Sequence, residues 1–257
     1  MQTFTEEAIN LKAYRLKEND KIILMYSKSN GLVRAIAKGA QKAKSKLSGR
    51  MEMLVSNRLL MHKGRNLNII TQADSINSFL KIRQDIDKMI FGMYCAEIIM
   101  NFGVENDPSS EEIYNLFYNY LEQLSQTEGK TEILLSTLRF QLKIVQILGY
   151  NLELEKCANC ITEIDSENIY FSLGGGGVVC KDCAEKYPHS KKMNVKLKNF
   201  LQTLLLTDFK EKTTFDKLAN EKISQFCFNL LKDYISQFSP KPFKTISAFE
   251  LQTTNYS

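Results

Sequence analysis

The chain shows two hydrophobic periods, and the change between them lies near residue 80. Between residues 6 and 75, apolar and polar positions alternate over short runs, as in Ile9, Leu11 and Ala13, which is typical of β-strands. A Ser-Asn-Gly sequence at 29–31 predicts a hairpin turn, because Asn and Gly tolerate the positive φ of tight turns. The predicted strands cover residues 9–13, 21–27, 32–37, 53–62 and 67–73.

The second period is helical and begins at about residue 82. Apolar residues recur there three and four positions apart, as in Ile86, Met89, Ile90 and Met93, so that they share one face of a helix. A capping sequence at 107–112 begins the next predicted helix, which runs to about residue 125. Further helices are predicted over about 131–148, 195–206 and 215–238.

Four cysteines between these helices have the spacing of a metal site. Cys157 and Cys160 form one CxxC pair, Cys180 and Cys183 form another, and 19 residues separate the two pairs. Each pair can wrap one ion, and four thiolates supply the tetrahedral sulfur shell that zinc accepts. Because such a shell leaves no place for water, we predict a structural zinc ion. A redox pair would need a βαβ setting, which the pattern does not indicate.

These patterns predict an α+β protein. A five-stranded OB-fold barrel over residues 1–80 would precede an all-α domain over residues 81–257 that carries a four-cysteine zinc-finger insertion at about 155–186. No apolar run approaches the roughly 20 residues that cross a bilayer, and the polar start of the chain does not resemble a secretory signal. We therefore expect a cytoplasmic protein without a membrane partner.

Positive charge is concentrated in the predicted barrel. Residues 1–80 contain 14 Lys or Arg against 6 Asp or Glu, whereas the rest of the chain contains 20 against 23. Fixed positive charge attracts phosphates and releases their counterions, so this asymmetry favours a polyanionic partner. A merely solvated basic surface is the alternative, and charge alone does not separate the two.

The positive charge is densest between the third and fourth predicted strands, where residues 34–50 include no acidic residue. Lysines among small residues can follow a phosphate chain without reading bases. Tyr14 and Tyr26 are candidate stacking partners for bases, although a place in the core or on the sheet surface explains them more simply. The predicted DNA-binding residues are Arg34, Lys38, Lys42, Lys44, Lys46 and Arg50, with Lys63 and Arg65 in the loop between strands four and five.

No pattern in the chain predicts catalysis. The Gly-Lys-Thr sequence at 129–131 lacks the earlier glycine and the strand of a phosphate-binding loop. His62 and His189 have no nucleophile motif beside them, and the zinc-deaminase signature is missing. We expect a binding protein that is not an enzyme and takes no small-molecule substrate.

The order of these parts resembles the RecO family of bacterial DNA repair and recombination proteins over nearly the whole chain. The resemblance is carried by EAINLK at 7–12, DKII at 20–23, AIAKGA at 35–40 with its basic continuation, and LGY at 148–150 shortly before the first cysteine pair. It implies an N-terminal OB fold, a helical C-terminal domain and a zinc-finger insertion. The basic segment is richer in lysine than the family's, which keeps the charge but loses the bidentate phosphate contacts of arginine.

The resemblance also implies a task and a set of partners. Such proteins bind single- and double-stranded DNA, anneal complementary strands and, with RecR, load RecA onto DNA covered by single-strand-binding protein. RecF is a further partner that the resemblance suggests, with association to the nucleoid during repair. Family members also bind the acidic tail of single-strand-binding protein, and Arg139 and Lys143, one helical turn apart, are candidates to receive its carboxylates. The alternative for this pair is a solvated helix face.

Two other functions stay open on the sequence alone. An RNA-binding factor with an OB fold and a zinc ribbon would prefer RNA through contacts to 2′-hydroxyl groups. A zinc-stabilised adaptor that binds only proteins would show no salt-dependent affinity for oligonucleotides.

Overall fold

The computed structural model describes residues 2–42, 44–164, 168–209 and 220–246 of the 257-residue chain. The chain divides into two compact units: the first contains residues up to 127 and the segment from Pro240 onward, and the second contains residues 128–239. The change of hydrophobic period near residue 80 therefore lies inside the first unit, where it marks the end of the strands. The division into domains 1–80 and 81–257 stays a prediction.

Five strands form a closed barrel at the start of the first unit. They are β1 (Thr3–Arg15), β2 (Lys21–Ser27), β3 (Gly31–Ala37), β4 (Ser56–His62) and β5 (Asn68–Asn77). Their order is β1-β2-β3-β5-β4, and β4 pairs again with β1 to close the barrel. All neighbours are antiparallel except β3 and β5, which pair in parallel over a short stretch. The predicted α+β class with an N-terminal five-stranded, OB-like barrel is confirmed.

Small and flexible apolar side chains fill the barrel interior. Ala8, Ala35 and Ala37 are fully buried there, and their small side chains let the strands close around a narrow space. Met25 and Met61 lie in the same cluster, where unbranched side chains can fill an irregular gap.

A β-bulge in β1 reverses the alternation of its side chains. Asn10 lies opposite Met25 and Lys12 lies opposite Leu24, so Leu11 is an extra residue in β1. After this bulge, Ala13 packs against the interior while Lys12 is exposed on the outer face. The regular alternation predicted for residues 9–13 is therefore wrong beyond residue 10, because a single inserted residue exchanges the two faces of a strand.

The buried side chain of Asn10 fixes this bulge. Its Nδ2 donates hydrogen bonds to the carbonyl oxygens of Arg50 at 2.8 Å and Glu52 at 2.9 Å. Its backbone N–H donates to the carbonyl of Val55, and its carbonyl accepts from the N–H of Leu54. Asn10 thereby holds the end of the β3–β4 connection against β1.

Three helices complete the first part of this unit: α1 (Leu80–Arg83), α2 (Ile86–Phe102) and α3 (Ser110–Gln126). Asp85 caps α2 by accepting hydrogen bonds from the N–H groups of Asp87 and Lys88. The hydroxyl of Tyr26 donates to the carboxylate of Asp107 at 3.0 Å, and burial with this carboxylate raises the pKa of Tyr26.

The segment from Pro240 joins the first unit through α2. The carboxylate of Glu97 accepts hydrogen bonds from the backbone N–H groups of Lys244 at 2.9 Å and Thr245 at 3.0 Å. The rings of Tyr94 and Phe243 meet edge to face, with their centroids 5.5 Å apart. Both contacts join residues about 150 positions apart in the chain.

The second unit combines helices with a small sheet. Its elements are α4 (Gly129–Ile147), β6 (Ile169–Ser172), β7 (Gly177–Val179), α5 (Lys181–Ala184), β8 (Lys191–Met193), α6 (Val195–Leu206) and α7 (Glu221–Phe238). Helix α4 packs against α6 and α7, and the sheet has the order β7-β6-β8. The predicted helical start at 215–219 lies outside the described residues. Among the residues that are described, no helix is both long and apolar enough to cross a bilayer.

We expect Asn10→Ala to lower the free energy of unfolding by about 1–3 kcal/mol, because it removes two hydrogen bonds from a buried site. Urea denaturation followed by circular dichroism measures this change. Asn199→Ala, at an exposed site on α6, is the matched control and should leave the midpoint unchanged. Equal midpoints for both variants and the wild type would contradict the assigned role of Asn10.

Candidate metal centre and nucleic-acid interface

The four cysteines of the two CxxC pairs converge in the second unit. Their sulfur atoms all lie within 4.8 Å of one another. The Sγ atoms of Cys160 and Cys180 are 3.8 Å apart, which equals the edge of about 3.8 Å expected for a tetrahedron with zinc–sulfur bonds of about 2.3 Å. The predicted clustering of these cysteines is confirmed, and the donor set fits a tetrahedral, thiolate-binding metal ion.

Hydrogen bonds from neighbouring groups support thiolates at this site. The N–H of Cys180 donates to the sulfur of Cys157 at 3.4 Å, and Nδ2 of Asn159 donates to the sulfur of Cys183 at 3.2 Å. The hydroxyl of Tyr187 in turn donates to Oδ1 of Asn159, which fixes the orientation of that amide. Asn159 and Tyr187 carry no motif, so their part in the site was not predicted.

The hydroxyl of Thr162 lies 3.0 Å from the sulfur of Cys160. This hydrogen bond and a second one from the backbone of Thr162 lower the pKa of Cys160 to about 6. A lowered pKa increases the thiolate fraction at neutral pH, and the thiolate is the form that binds metal.

A glycine brings the two cysteine pairs together. Gly177 begins β7, and the N–H of the next residue, Val178, donates to the carbonyl of Glu153. A Cβ at position 177 would lie 2.1 Å from that carbonyl oxygen, so only glycine permits this approach. The N–H of Ala158 then donates to the carbonyl of Val178, which places the first cysteine pair beside the end of β7.

The apolar core around the cysteines is small. Among the described residues, its buried members are Cys157, Val179 and Cys183, with a few partly buried side chains around them. Two of these three residues are themselves candidate ligands. A core of this size supplies little hydrophobic stabilisation.

The predicted basic segment forms the connection between β3 and β4. Lys38, Lys42, Lys44 and Lys46 are exposed on it, while Arg50 is half-buried and donates from Nη1 to the carbonyl of Lys46. Ala40 and Met51 from the same connection are buried in the barrel core and hold it at both ends. The connection thus presents these four lysines to solvent.

Hydrogen bonds also join this connection to the loop between β1 and β2. The N–H of Gly39 donates to the carboxylate of Asp20 at 2.8 Å, and the N–H of Gln41 donates to the carbonyl of Asn19 at 3.0 Å. Arg15 at the end of β1 and Lys17 in this loop are both exposed and add to the same basic surface. Their charge was visible in the sequence, but their closeness to the β3–β4 connection depends on tertiary hydrogen bonds and was missed.

Arg34, Lys63 and Arg65 lie elsewhere on the barrel. Arg34 and Lys63 line one groove of about 390 Å³ beside the loop between β4 and β5, together with Asn66 and Asn68. Arg65 is exposed in the same loop. The groove also contains the carboxylates of Glu6 and Glu105, so its charge is mixed, unlike that of the β3–β4 connection.

The two tyrosines considered for base stacking differ in exposure. Tyr26 is fully buried and hydrogen-bonded, so its ring is not accessible to a base. Tyr14 is 44% exposed, and the ammonium of Lys12 lies 5.3 Å from its ring centroid.

The two residues predicted to receive an acidic tail lie on α4. Arg139 is only 5% exposed, whereas Lys143 is partly exposed. Lys143 therefore offers the more accessible charge of this pair, and the tail site stays a prediction.

Two family models match most of the chain. Residues 1–79 match the family model described as recombination protein O N terminal. Residues 83–245 match the model described as recombination protein O C terminal.

Individual relatives agree with these matches. The chain is 30% identical over 259 residues to a DNA repair protein RecO of Clostridium novyi, covering 100% of this chain and 98% of the relative. It is 32% identical over 225 residues to the protein of that name from Caldanaerobacter subterraneus, covering 87% and 85%. For Desulforamulus reducens the identity is 29% over 248 residues, covering 95% and 93%. The chain therefore belongs to the RecO family of DNA repair and recombination proteins.

Proposed function

We propose that the protein is a mediator of DNA repair and homologous recombination. It binds single- and double-stranded DNA, anneals complementary strands and, with RecR, helps to load RecA onto DNA coated with single-strand-binding protein. The observation that carries this proposal is the family match over both parts of the chain, joined to a barrel whose β3–β4 connection presents four exposed lysines. No covalent step and no consumed cofactor are required.

DNA is held mainly through its phosphates. The exposed lysines of the β3–β4 connection are mobile point charges, which suits a contact that tolerates any sequence. Each phosphate contact releases counterions, so affinity falls as salt rises. Arg34, Arg50, Lys63 and Arg65 are proposed as further contacts.

Cys157, Cys160, Cys180 and Cys183 hold one Zn²⁺ ion per chain in this proposal. The ion supplies a cross-link between the two cysteine pairs, in place of the larger apolar core that this region lacks. Four thiolate ligands fill the coordination shell, so the site has a structural role. Lys143 and Arg139, one helical turn apart on α4, are the proposed contacts for the acidic tail of single-strand-binding protein, with Lys143 the more exposed of the two.

Purified, reduced protein should contain close to one zinc ion per chain by elemental analysis, because the four sulfurs lie within 4.8 Å of one another. Cys183→Ser should lose most of this zinc and unfold at lower temperature. Cys227→Ala changes a buried cysteine on α7 outside the cluster and should keep the full zinc content. A zinc content well below one in the wild type, or unchanged in Cys183→Ser, would refute the site.

Neutralising Lys42, Lys44 and Lys46 to Gln should weaken binding to a single-stranded oligonucleotide. The slope of log affinity against log salt should become shallower by about 2, since each lost contact to a single strand removes about 0.7. Fluorescence anisotropy across a salt series measures both quantities. The control changes three exposed lysines of the second unit, Lys186, Lys196 and Lys222, to Gln and should match the wild type. An unchanged slope in the first variant would count against the proposed DNA contacts.

The proposed activity predicts that the wild-type protein accelerates annealing of complementary DNA strands coated with single-strand-binding protein, without ATP. A fluorescence assay with labelled strands follows the rate. Competition with RNA of the same sequence separates this function from that of an RNA factor, which would prefer the RNA. Failure to accelerate annealing while oligonucleotides still bind would remove the annealing step from the proposal.

A further inference from the structure

The four clustered cysteines differ in their exposure. Cys157 is 1% exposed and Cys183 is 4% exposed, and both lie in the small apolar cluster of this region. Cys160 is exposed, and Cys180 is partly exposed. Each CxxC pair therefore contributes one buried cysteine and one that a small solute can reach.

The backbone of the first pair explains the exposure of Cys160. The N–H of Cys157 donates to the carbonyl of Thr162 at 2.9 Å, and the N–H of Ile161 donates to the carbonyl of Cys157 at 2.8 Å. These hydrogen bonds close a tight turn over residues 157–162. Ile161 has a φ of 63°, in the left-handed region, and is 75% exposed. The turn therefore buries its first cysteine and carries its second cysteine at the outer end.

The two accessible sulfurs are close neighbours that belong to different pairs. The Sγ atoms of Cys160 and Cys180 are 3.8 Å apart. A disulfide joins sulfurs that are about 2 Å apart, so rotation of the two side chains has to close a gap of about 1.8 Å. An accessible cysteine beside a second cysteine that can attack it is the arrangement found in thiols that are oxidised reversibly.

We propose that Cys160 is a site of oxidation by peroxides and that Cys180 resolves the oxidised sulfur by forming a disulfide between the two pairs. This inference rests on the proposed zinc site and adds its regulation. The disulfide removes two of the four thiolate ligands, and the two that remain, Cys157 and Cys183, hold the ion too weakly to retain it.

Hydrogen peroxide is the only oxidant that the reaction requires. The thiolate of Cys160 attacks one peroxide oxygen, the O–O bond breaks, and a sulfenic acid forms while hydroxide leaves. The thiolate of Cys180 then attacks the oxidised sulfur, the S–S bond forms, and the S–O bond breaks to release a second hydroxide. Two thiolates lose two electrons in total, one peroxide is reduced, and two protons from solvent convert the hydroxides to water.

A disulfide between the pairs has a different effect from one inside a CxxC pair. The bond between Cys160 and Cys180 spans the 19 residues that separate the two pairs, so it joins the same two segments as the ion does. The cross-link therefore survives loss of the metal, and it restricts the unfolded chain as other disulfides do. Thiol–disulfide exchange with a reducing thiol reverses the bond and frees both ligands to bind metal again.

The test treats zinc-loaded, full-length protein with hydrogen peroxide. Released zinc is measured by absorbance with pyridylazoresorcinol, and disulfides are mapped by mass spectrometry after free thiols have been blocked. We expect one zinc ion to be released for each first disulfide formed, and that disulfide should join Cys160 to Cys180. Dithiothreitol with added zinc should restore the bound metal. Cys95→Ala and Cys227→Ala change buried cysteines outside the cluster and should release zinc at the wild-type rate.

Thermal unfolding gives a second measurement on the wild-type protein. The oxidised protein should unfold at a temperature between those of the zinc-loaded protein and the reduced, metal-free protein, because the disulfide keeps the two segments joined. A first disulfide inside a CxxC pair, zinc that stays bound in excess peroxide, or an oxidised protein no more stable than the reduced, metal-free one would each overturn the proposal. Protein that contains no zinc as purified but still forms the disulfide between Cys160 and Cys180 would instead refute the metal site and support the oxidation site.

Discussion

The hydrogen bonds of the Asn10 side chain are the constraint on which the basic surface of the barrel depends. They hold the end of the β3–β4 connection against β1, at the residue where the bulge begins. The same contact therefore fixes two things: the backbone that carries the lysines, and the face on which Lys12 and Tyr14 lie. An amide suits this place, because it can donate to two carbonyl oxygens without introducing a charge into a buried site.

The two units achieve their stability in different ways. The first unit closes a barrel around apolar side chains and adds helices to it, so burial of apolar surface stabilises it. The apolar cluster around the cysteines of the second unit is small, and its four sulfur atoms lie close enough together to bind one metal ion. The barrel residues proposed to contact DNA belong to the first of these units.

The sequence predicted what depends on local pattern and missed what depends on contacts between distant residues. Alternation, turn residues and CxxC spacing were sufficient for the barrel, the helices and the clustered cysteines. The bulge was missed because Leu11 fits the alternating pattern as well as its neighbours do. Arg15 and Lys17 join the basic connection only through bonds such as that between Gly39 and Asp20. The burial of Arg139 could not be predicted from charge, since long basic side chains are usually exposed.

The hydrogen bonds between Glu97 and the backbone of Lys244 and Thr245 constrain the order in which the chain can fold during synthesis. The first unit contains residues on both sides of the second, so these contacts cannot form on the ribosome until residues 128–239 have been translated. Domains generally fold as they emerge, the N-terminal part first. Here α2 is synthesised before the segment that its Glu97 binds, and the whole second unit is synthesised in between. The contacts that complete the first unit can therefore form only after the second unit has been synthesised.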